Sequence, residues 1–200
     1  MISKDEIKKI AKIAMLDKKV LDKILNVSLS KKDEIRFKNY NVLLFISENY
    51  PNILYQKWDF FSDILDSNNH YHRYIAINIL ANLSKIDIEN KFEKIFEKYF
   101  ENISSNRTMV AGQAAINSGK IAKHKPHLRL KITNILLTID KIHKGKQTEL
   151  MKAYAIEAFS DFFEDFEDKK IILNFIKAQL NSESPKTKKK ASEFLKKWSK

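Results

Sequence analysis

The stretch HYHRYIAINILANL, residues 70–83, decides the fold. In it the small residue Ala76 is followed four positions later by Leu80 and seven positions later by Leu83, and Arg73 stands three positions before it. Residues with these spacings lie on one side of an α-helix. The stretch therefore predicts a helix that packs closely against its neighbours through Ala76.

The same spacing recurs along the chain, which indicates an internal repeat. When Asn39, Ala114, Ala155 and Ala191 are placed in register with Ala76, the successive intervals are 37, 38, 41 and 36 residues. A basic residue stands three positions before four of these five anchor residues. The positions four residues after the anchors hold Leu43, Leu80, Ser118, Phe159 and Leu195, and those seven residues after hold Ile46, Leu83, Ile121, Phe162 and Trp198.

Each anchor segment is followed by a break and then by a second apolar-periodic segment, as in ENYPN before ILYQKWDFFSDIL. Pro51 and Pro126 suit the first turn of such second helices, and Asp168 is a candidate cap for another. The unit is thus helix, turn, helix, with a period near 38 residues. We expect one continuous domain, with units at 33–69, 70–106, 107–147 and 148–184, a final helix at 185–200, and an N-terminal helical hairpin or cap at 1–32 that Ser3 and Glu6 begin as a capping box.

At this point the chain resembles the HEAT-repeat, armadillo-like family of paired-helix proteins, from about residue 33 to residue 200. The resemblance implies an all-α, right-handed α-α superhelix (solenoid) of about four helix pairs, because a single pair cannot bury its own apolar face. It also implies a binding scaffold whose partner is a protein. The third unit departs from the pattern, since Gly112, Ser118 and Gly119 stand where the other units carry larger side chains; small residues allow close helix approach or mark a bend.

Composition excludes several other classes. With three glycines and three prolines in 200 residues, β-sandwiches and glycine-loop nucleotide sites are disfavoured. The absence of cysteine excludes disulfides and thiolate metal sites and suits a reducing cytoplasm. Charges interrupt every apolar run of the opening ISKDEIKKIAKIA, so we expect no signal peptide, no membrane insertion and a cytoplasmic location.

Positive charge is concentrated in the second half of the chain. Of the net charge of +12, residues 101–200 contribute +9, from 20 Lys/Arg against 11 Asp/Glu. Basic residues near successive inter-helix turns predict a positively charged stripe on the surface. Such a stripe binds the phosphates of a nucleic acid independently of its base sequence, or binds an acidic partner. The alternative is a solvated lysine surface. The candidate binding residues are Lys120, Lys123, Lys125, Arg129, Lys131, Lys144 and Lys146.

Metal binding is a weaker alternative at three places. His70 and His72 are two residues apart and point to different sides of a helix. The turn histidines His124 and His127, even with His143, have no carboxylate or cysteine fixed beside them. In EAFSDFFEDFED, residues 157–168, clustered carboxylates suggest a divalent cation, but four phenylalanines at helical spacing favour a buried stripe whose acidic side faces basic neighbours. We therefore expect no metal and no cofactor.

One catalytic hypothesis follows from the HEAT-like DNA glycosylases, whose catalytic region has a Trp-Asp-x-x-Asp run beside a basic groove. QKWDFFSDIL offers Trp58, Asp59 and Asp63, followed by Arg73, but Ser62 stands where the second aspartate belongs, a change of about 100° around a helix. A core position for Trp58 is the simpler interpretation, and no other enzyme motif occurs. The expected function is non-catalytic binding of a protein, with nucleic-acid binding as the alternative and glycosylase activity as a remote one.

The C-terminal PKTKKKASEFLKKWSK, residues 185–200, carries seven lysines and one acid beside Phe194, Leu195 and Trp198. A basic amphipathic helix of this kind either lies on a membrane surface or docks on the rest of the fold. Since its apolar edge is short, docking on the preceding helices is the expectation.

Overall fold

The computed structural model describes residues 2–198, and within them every regular element is a helix. Short 3-10 turns extend or join several of the helices. No helix in this range is both long and apolar enough to cross a membrane. In chain order the helices are α1 (Lys4–Leu16), α2 (Lys18–Val27), α3 (Asp33–Asn49), α4 (Pro51–Tyr55), α5 (Trp58–Asp63), α6 (His70–Leu83), α7 (Lys91–Lys94), α8 (Phe96–Phe100), α9 (Thr108–His124), α10 (Arg129–Leu137), α11 (Ile139–Ile142), α12 (Thr148–Phe159), α13 (Lys169–Ala178) and α14 (Pro185–Trp198).

The chain divides into two compact units, Met1–Lys91 (unit 1) and Phe92–Lys200 (unit 2). In unit 1, α1 packs on α2 and α3, and α3 packs on α4 and α6. In unit 2, α12 lies between α9 and α14 and contacts both. The division after Lys91 falls inside the segment predicted as the second repeat, at the first residue of α7, where its second helix begins.

Five long helices carry the predicted anchors: α3, α6, α9, α12 and α14. Ala76, Ala114, Ala155 and Ala191 are fully buried, as a close-packing position requires. Asn39 differs, since it is partly exposed and its Nδ2 donates to the Ile35 carbonyl. The anchor helices predicted from the sequence are thus confirmed.

A turn closed by a serine precedes four of the five anchor helices. The hydroxyl of Ser30, Ser67, Ser105 and Ser182 accepts the backbone N–H two residues later, at 3.2 Å in every case. In all four the helix begins three residues after the serine. Such a side-chain turn fixes the approach of the chain to the helix with a strictly local bond. The fourth anchor helix, α12, begins at Thr148 and has Gly145 at the corresponding position.

The helix starts predicted from single residues are confirmed in part. Ser3 Oγ accepts the Glu6 N–H at 3.1 Å, while the Glu6 carboxylate pairs with Lys38 at 2.7 Å. Pro51 begins α4, and Pro126 begins a 3-10 turn that leads into α10. The expectation for Asp168 is wrong in its detail: it holds the capping position of α13, but its side chain makes no capping hydrogen bond.

The second helix of most units is broken into short pieces, whereas the sequence suggested one continuous segment. The helices are interrupted at Gln56–Lys57, at Ile95 and at Thr138. Ile95 and Thr138 have φ near −110° and ψ near 0°, outside helical geometry. Each break redirects the chain while buried residues such as Leu54 and Trp58, on either side of the first break, stay in the core.

The small residues of the third unit permit close approach between α9 and α12. A Cβ on Gly119 would lie 2.5 Å from the backbone oxygen of Ala158, and a Cβ on Gly112 would lie 2.6 Å from the ring of Tyr154. Close approach, rather than a bend, is therefore what Gly112 and Gly119 provide: neither has a positive φ.

The two glycines give a matched pair of stability tests. We expect Gly119→Ala to lower the free energy of unfolding by about 1–2 kcal/mol, because overpacking against backbone outweighs the better helix propensity of alanine. Gly112→Ala should be close to neutral, since the partly exposed Tyr154 ring can rotate away. Urea denaturation of the two variants measures the difference, and a larger loss for Gly112→Ala would contradict the contact at Ala158.

Candidate binding surfaces

Lys125, one of the predicted binding residues, is buried instead of presented to solvent. Its side chain is 3% exposed, and its ammonium group donates to both carboxylate oxygens of Glu93 at 2.9 and 3.0 Å. His127 Nε2 lies 2.7 Å from the same carboxylate. Burial alone would raise the pKa of Glu93, but the hydrogen bonds from Lys125, a backbone N–H and His127 hold the pKa below its usual value.

Arg129 and Lys131 also contact neighbouring segments of unit 2. Arg129 donates to the Ala122 carbonyl at 2.9 Å and to the Asp165 carbonyl at 3.1 Å. Lys131 pairs with Glu97 at 2.6 Å and lies 4.0 Å from the centre of the Phe96 ring. The contacts with Asp165 and Glu97 join segments about one repeat apart, so both residues help hold consecutive repeats of unit 2 together.

The remaining predicted basic residues are distributed differently. Lys123, Lys144 and Lys146 are exposed and make no ion pair within the described residues. Lys120 is half-buried and, with Lys123 and Lys197, acts on the carboxylate of Asp161. Burial raises the pKa of Asp161, and the three lysines oppose that rise. Part of the predicted stripe thus converges beside the end of α12, joined by Lys197, which the candidate list lacks.

The sequence spacing of the two charged residues could have predicted these ion pairs. Lys125 and Glu93 are 32 residues apart, Lys131 and Glu97 are 34 apart, and Lys57 pairs with Asp22 over 35 residues. A basic residue that lies one repeat away from an acidic residue indicates a contact between consecutive repeats, since equivalent positions of stacked repeats are neighbours.

The phenylalanines of the acidic segment 157–168 are buried, as predicted, but they do not lie along one helix, because α12 ends at Phe159 and a separate 3-10 turn covers Phe163–Asp165. The Phe159 and Phe162 rings are 5.9 Å apart. On the acidic side, Glu157 lies 3.5 and 3.3 Å from Lys186 and Lys190. Among the residues that the structure describes, no group of three or more His, Asp or Glu side chains is arranged to hold a metal ion.

The HYHRY segment forms the first turn of α6, as predicted. His72 Nε2 lies 3.1 Å from the Leu29 carbonyl, and its Nδ1 lies 3.3 Å from Ser67 Oγ. The His70 ring stacks beside Tyr71 at 4.3 Å. The histidines therefore serve the packing of the helix start.

Trp58 is a core residue. It is 3% exposed, beside the fully buried Phe61 and Leu65, and its ring meets Tyr55 edge-on at 5.7 Å. Asp63 is exposed at the end of α5. The core position that the sequence favoured for Trp58 is thus the one observed.

A stripe of aromatic and amide side chains on α3 was not anticipated from the sequence. Phe37, Asn41, Phe45 and Asn49 follow one another at four-residue spacing and so lie on one side of the helix. Phe37 is 54% exposed, and Tyr50, whose ring is 6.2 Å from Phe45, is 47% exposed. Each asparagine donates its Nδ2 to the carbonyl of the phenylalanine one turn earlier. We call these five residues the α3 face.

The second surface is a cleft of about 240 Å³ between α12 and α14, called the α12–α14 cleft. Ile156, Phe194 and Trp198 form its apolar wall, and Glu157, Lys190 and Lys197 are among its charged residues. Phe194 and Trp198 pack on Phe163, at 4.9 and 5.4 Å between ring centres. The docking predicted for the C-terminal helix is confirmed by this packing.

Comparison with known proteins identifies the fold but no relative of known activity. No family model and no curated protein matches the chain. The chain is similar to a solved structure of a designed armadillo repeat protein, with a TM-score of 0.60 and 13% identity over 98% of this chain and 94% of that one. It is also similar to two engineered proteins, with TM-scores of 0.59 and 0.57, 16% and 15% identity, 96% of this chain covered in both cases, and 90% and 88% of theirs. The all-α, armadillo-like repeat fold that the sequence resemblance implied is thereby confirmed.

Proposed function

We propose that the protein is a non-catalytic scaffold that binds a protein partner through the α3 face. The observation that carries the proposal is the exposure of Phe37 and Tyr50 beside Phe45 on one helix. Large aromatic side chains supply much of the energy at protein interfaces, and clustered exposure of such side chains marks an interaction site. The asparagines between them add hydrogen-bonding groups at the regular spacing of the helix. The cysteine-free composition supports a cytoplasmic site of action.

Site-specific cross-linking tests the α3 face. A photoreactive phenylalanine analogue at position 37 should give discrete adducts in cells, whereas the same analogue at Ile88, which is exposed in a different segment, should not. With the cross-linked protein purified, Phe37→Ser should weaken binding at least about 30-fold, the loss of an interface hot spot of about 2 kcal/mol. The same adducts at both positions, or binding unchanged by Phe37→Ser, would rule out this face.

Sequence-independent nucleic-acid binding is the second candidate. It is supported by Lys123, Lys144 and Lys146, which are exposed and form no ion pair within the described residues. It is weakened by the ion pairs of Lys125 and Lys131, whose charges are already neutralised. A nucleic-acid duplex is for this reason one arm of the experiment proposed for the α12–α14 cleft.

A further inference from the structure

We propose that the α12–α14 cleft binds a segment of a protein partner in which an apolar side chain is flanked by acidic residues. The inference rests on the proposed function only in that the ligand is a protein. It concerns a different surface, in unit 2, and a stated ligand chemistry.

The size of the cleft indicates a side chain as its occupant. Its volume of about 240 Å³ is below the roughly 300–1,000 Å³ typical of small-molecule and cofactor sites. Trp198 is the part of the apolar wall that stays partly exposed, and its ring rests against Phe163, while Ile156 and Phe194 behind it are buried. An apolar wall of this size suits one aromatic or aliphatic anchor.

The charges around the cleft favour an acidic segment. Glu157 is already shared between Lys186 and Lys190, and Glu193 lies 3.9 and 3.8 Å from Lys189 and Lys190. Against these two acids stand four lysines, Lys186, Lys189, Lys190 and Lys197. The excess of positive charge steers acidic groups toward the cleft.

The same arrangement favours a protein segment over nucleic acid. The carboxylates Glu157 and Glu193 lie among the lysines, so a continuous row of phosphates would meet repulsion there. A peptide with separate carboxylates can form an ion pair with each lysine and pack its apolar side chain against the wall.

Trp198 offers a direct readout, since the chain has only two tryptophans and Trp58 lies in the core of unit 1. In a Trp58→Phe background, we would titrate the peptide acetyl-Asp-Glu-Phe-Asp-Glu-amide and follow Trp198 fluorescence. One control peptide has serine in place of phenylalanine, and a second has Lys-Arg in place of Asp-Glu on both sides. We expect saturable binding of the first peptide, at least tenfold tighter than either control.

Two charge-reversal variants locate the binding. Lys197→Glu should weaken the acidic peptide at least tenfold, whereas Lys188→Glu, an equal charge change at an exposed position of the same helix outside the cleft, should change it less than twofold. Circular dichroism establishes that each variant is folded. If Trp58→Phe unfolds the protein, calorimetry on the unmodified chain gives the same affinities.

Several results would overturn the inference: no fluorescence change at millimolar peptide, equal affinity for the three peptides, or equal losses in the two variants. A labelled duplex that displaces the peptide and is weakened by Lys197→Glu would assign the surface to nucleic acid instead. Adducts at position 37 do not depend on Lys197. Their persistence while the peptides fail would leave the proposed function intact and overturn only this inference.

Discussion

Glu93→Ala is expected to lower the free energy of unfolding by about 3 kcal/mol, because it removes the carboxylate that faces the buried ammonium of Lys125. The matched control is Glu97→Ala, in which a carboxylate with a 78% exposed side chain loses its pair with Lys131. An exposed pair of that kind contributes about 0–1 kcal/mol. Urea denaturation of the two variants should therefore separate them by about 2 kcal/mol or more.

A double variant distinguishes the loss of the ion pair from other damage. When both charges are replaced by apolar side chains, as in Glu93→Leu with Lys125→Met, no buried charge is left without its carboxylate, and most of the stability should return. Equal, small losses in Glu93→Ala and Glu97→Ala would mean that Lys125 reaches water in solution.

The same pair predicts a dependence on pH. Because its hydrogen bonds hold the folded-state pKa of Glu93 below the usual value near 4.5, this carboxylate binds protons less readily in the folded chain than in the unfolded one. Its contribution to stability is therefore complete above that pH and is lost as the pH falls through the lowered folded-state pKa. The Glu93→Ala variant should lack this part of the acid sensitivity in a series of denaturation curves.

The second large effect is expected in the aromatic core of unit 2. Phe159 stands four residues after the anchor Ala155, is fully buried, and meets Phe162 and Phe175 edge-on at 5.9 Å. Phe159→Ala should cost about 3–5 kcal/mol, from lost burial and from the cavity left behind. Leu195 holds the same repeat position on α14 but is partly exposed, so Leu195→Ala should cost about 1 kcal/mol.

Thermal and urea unfolding of these two variants test whether the repeat position or the burial decides the cost. A loss of similar size in both would show that Leu195 is covered in solution. A small loss for Phe159→Ala would show that the core of unit 2 collapses around the missing ring.

Much of the fold is readable from the sequence, because the anchor helices need small residues at their contacts. Ala76 and Ala155 stand at positions where a larger side chain would hold neighbouring helices apart, so the pattern survives although few residues are identical. The serine turns were not predicted, because Ser30 and its equivalents lie outside the apolar pattern from which the repeat was recognised. One unit lacks the serine, which hides the regularity further.

The breaks in the second helices could not be predicted in the same way. The apolar period runs through Gln56–Lys57, Ile95 and Thr138 without glycine or proline, so local propensity gives no signal there. The chain turns at these points to bury residues on both sides against other helices. Tertiary packing thus overrides the local preference for one continuous helix.

The candidate sites were predictable only in part. Charge alone does not separate Lys125 from Lys123, since the difference lies in a glutamate one repeat away. The α3 face was not predicted, because the exposure of Phe37 depends on which helices pack on α3. Trp198 was recognised as an apolar edge of the last helix, but its place in a cleft depends on the fold.

The serine turns bear on how such a chain changes in length. Each turn is completed by a bond spanning two residues, so the start of an anchor helix is encoded within its own unit. A gene segment copied from one serine to the next, for example from Ser67 to the residue before Ser105, carries a complete helix start with its two helices. Duplication or loss of whole modules thus needs no new initiation signal, and growth by tandem copying is built into the chain.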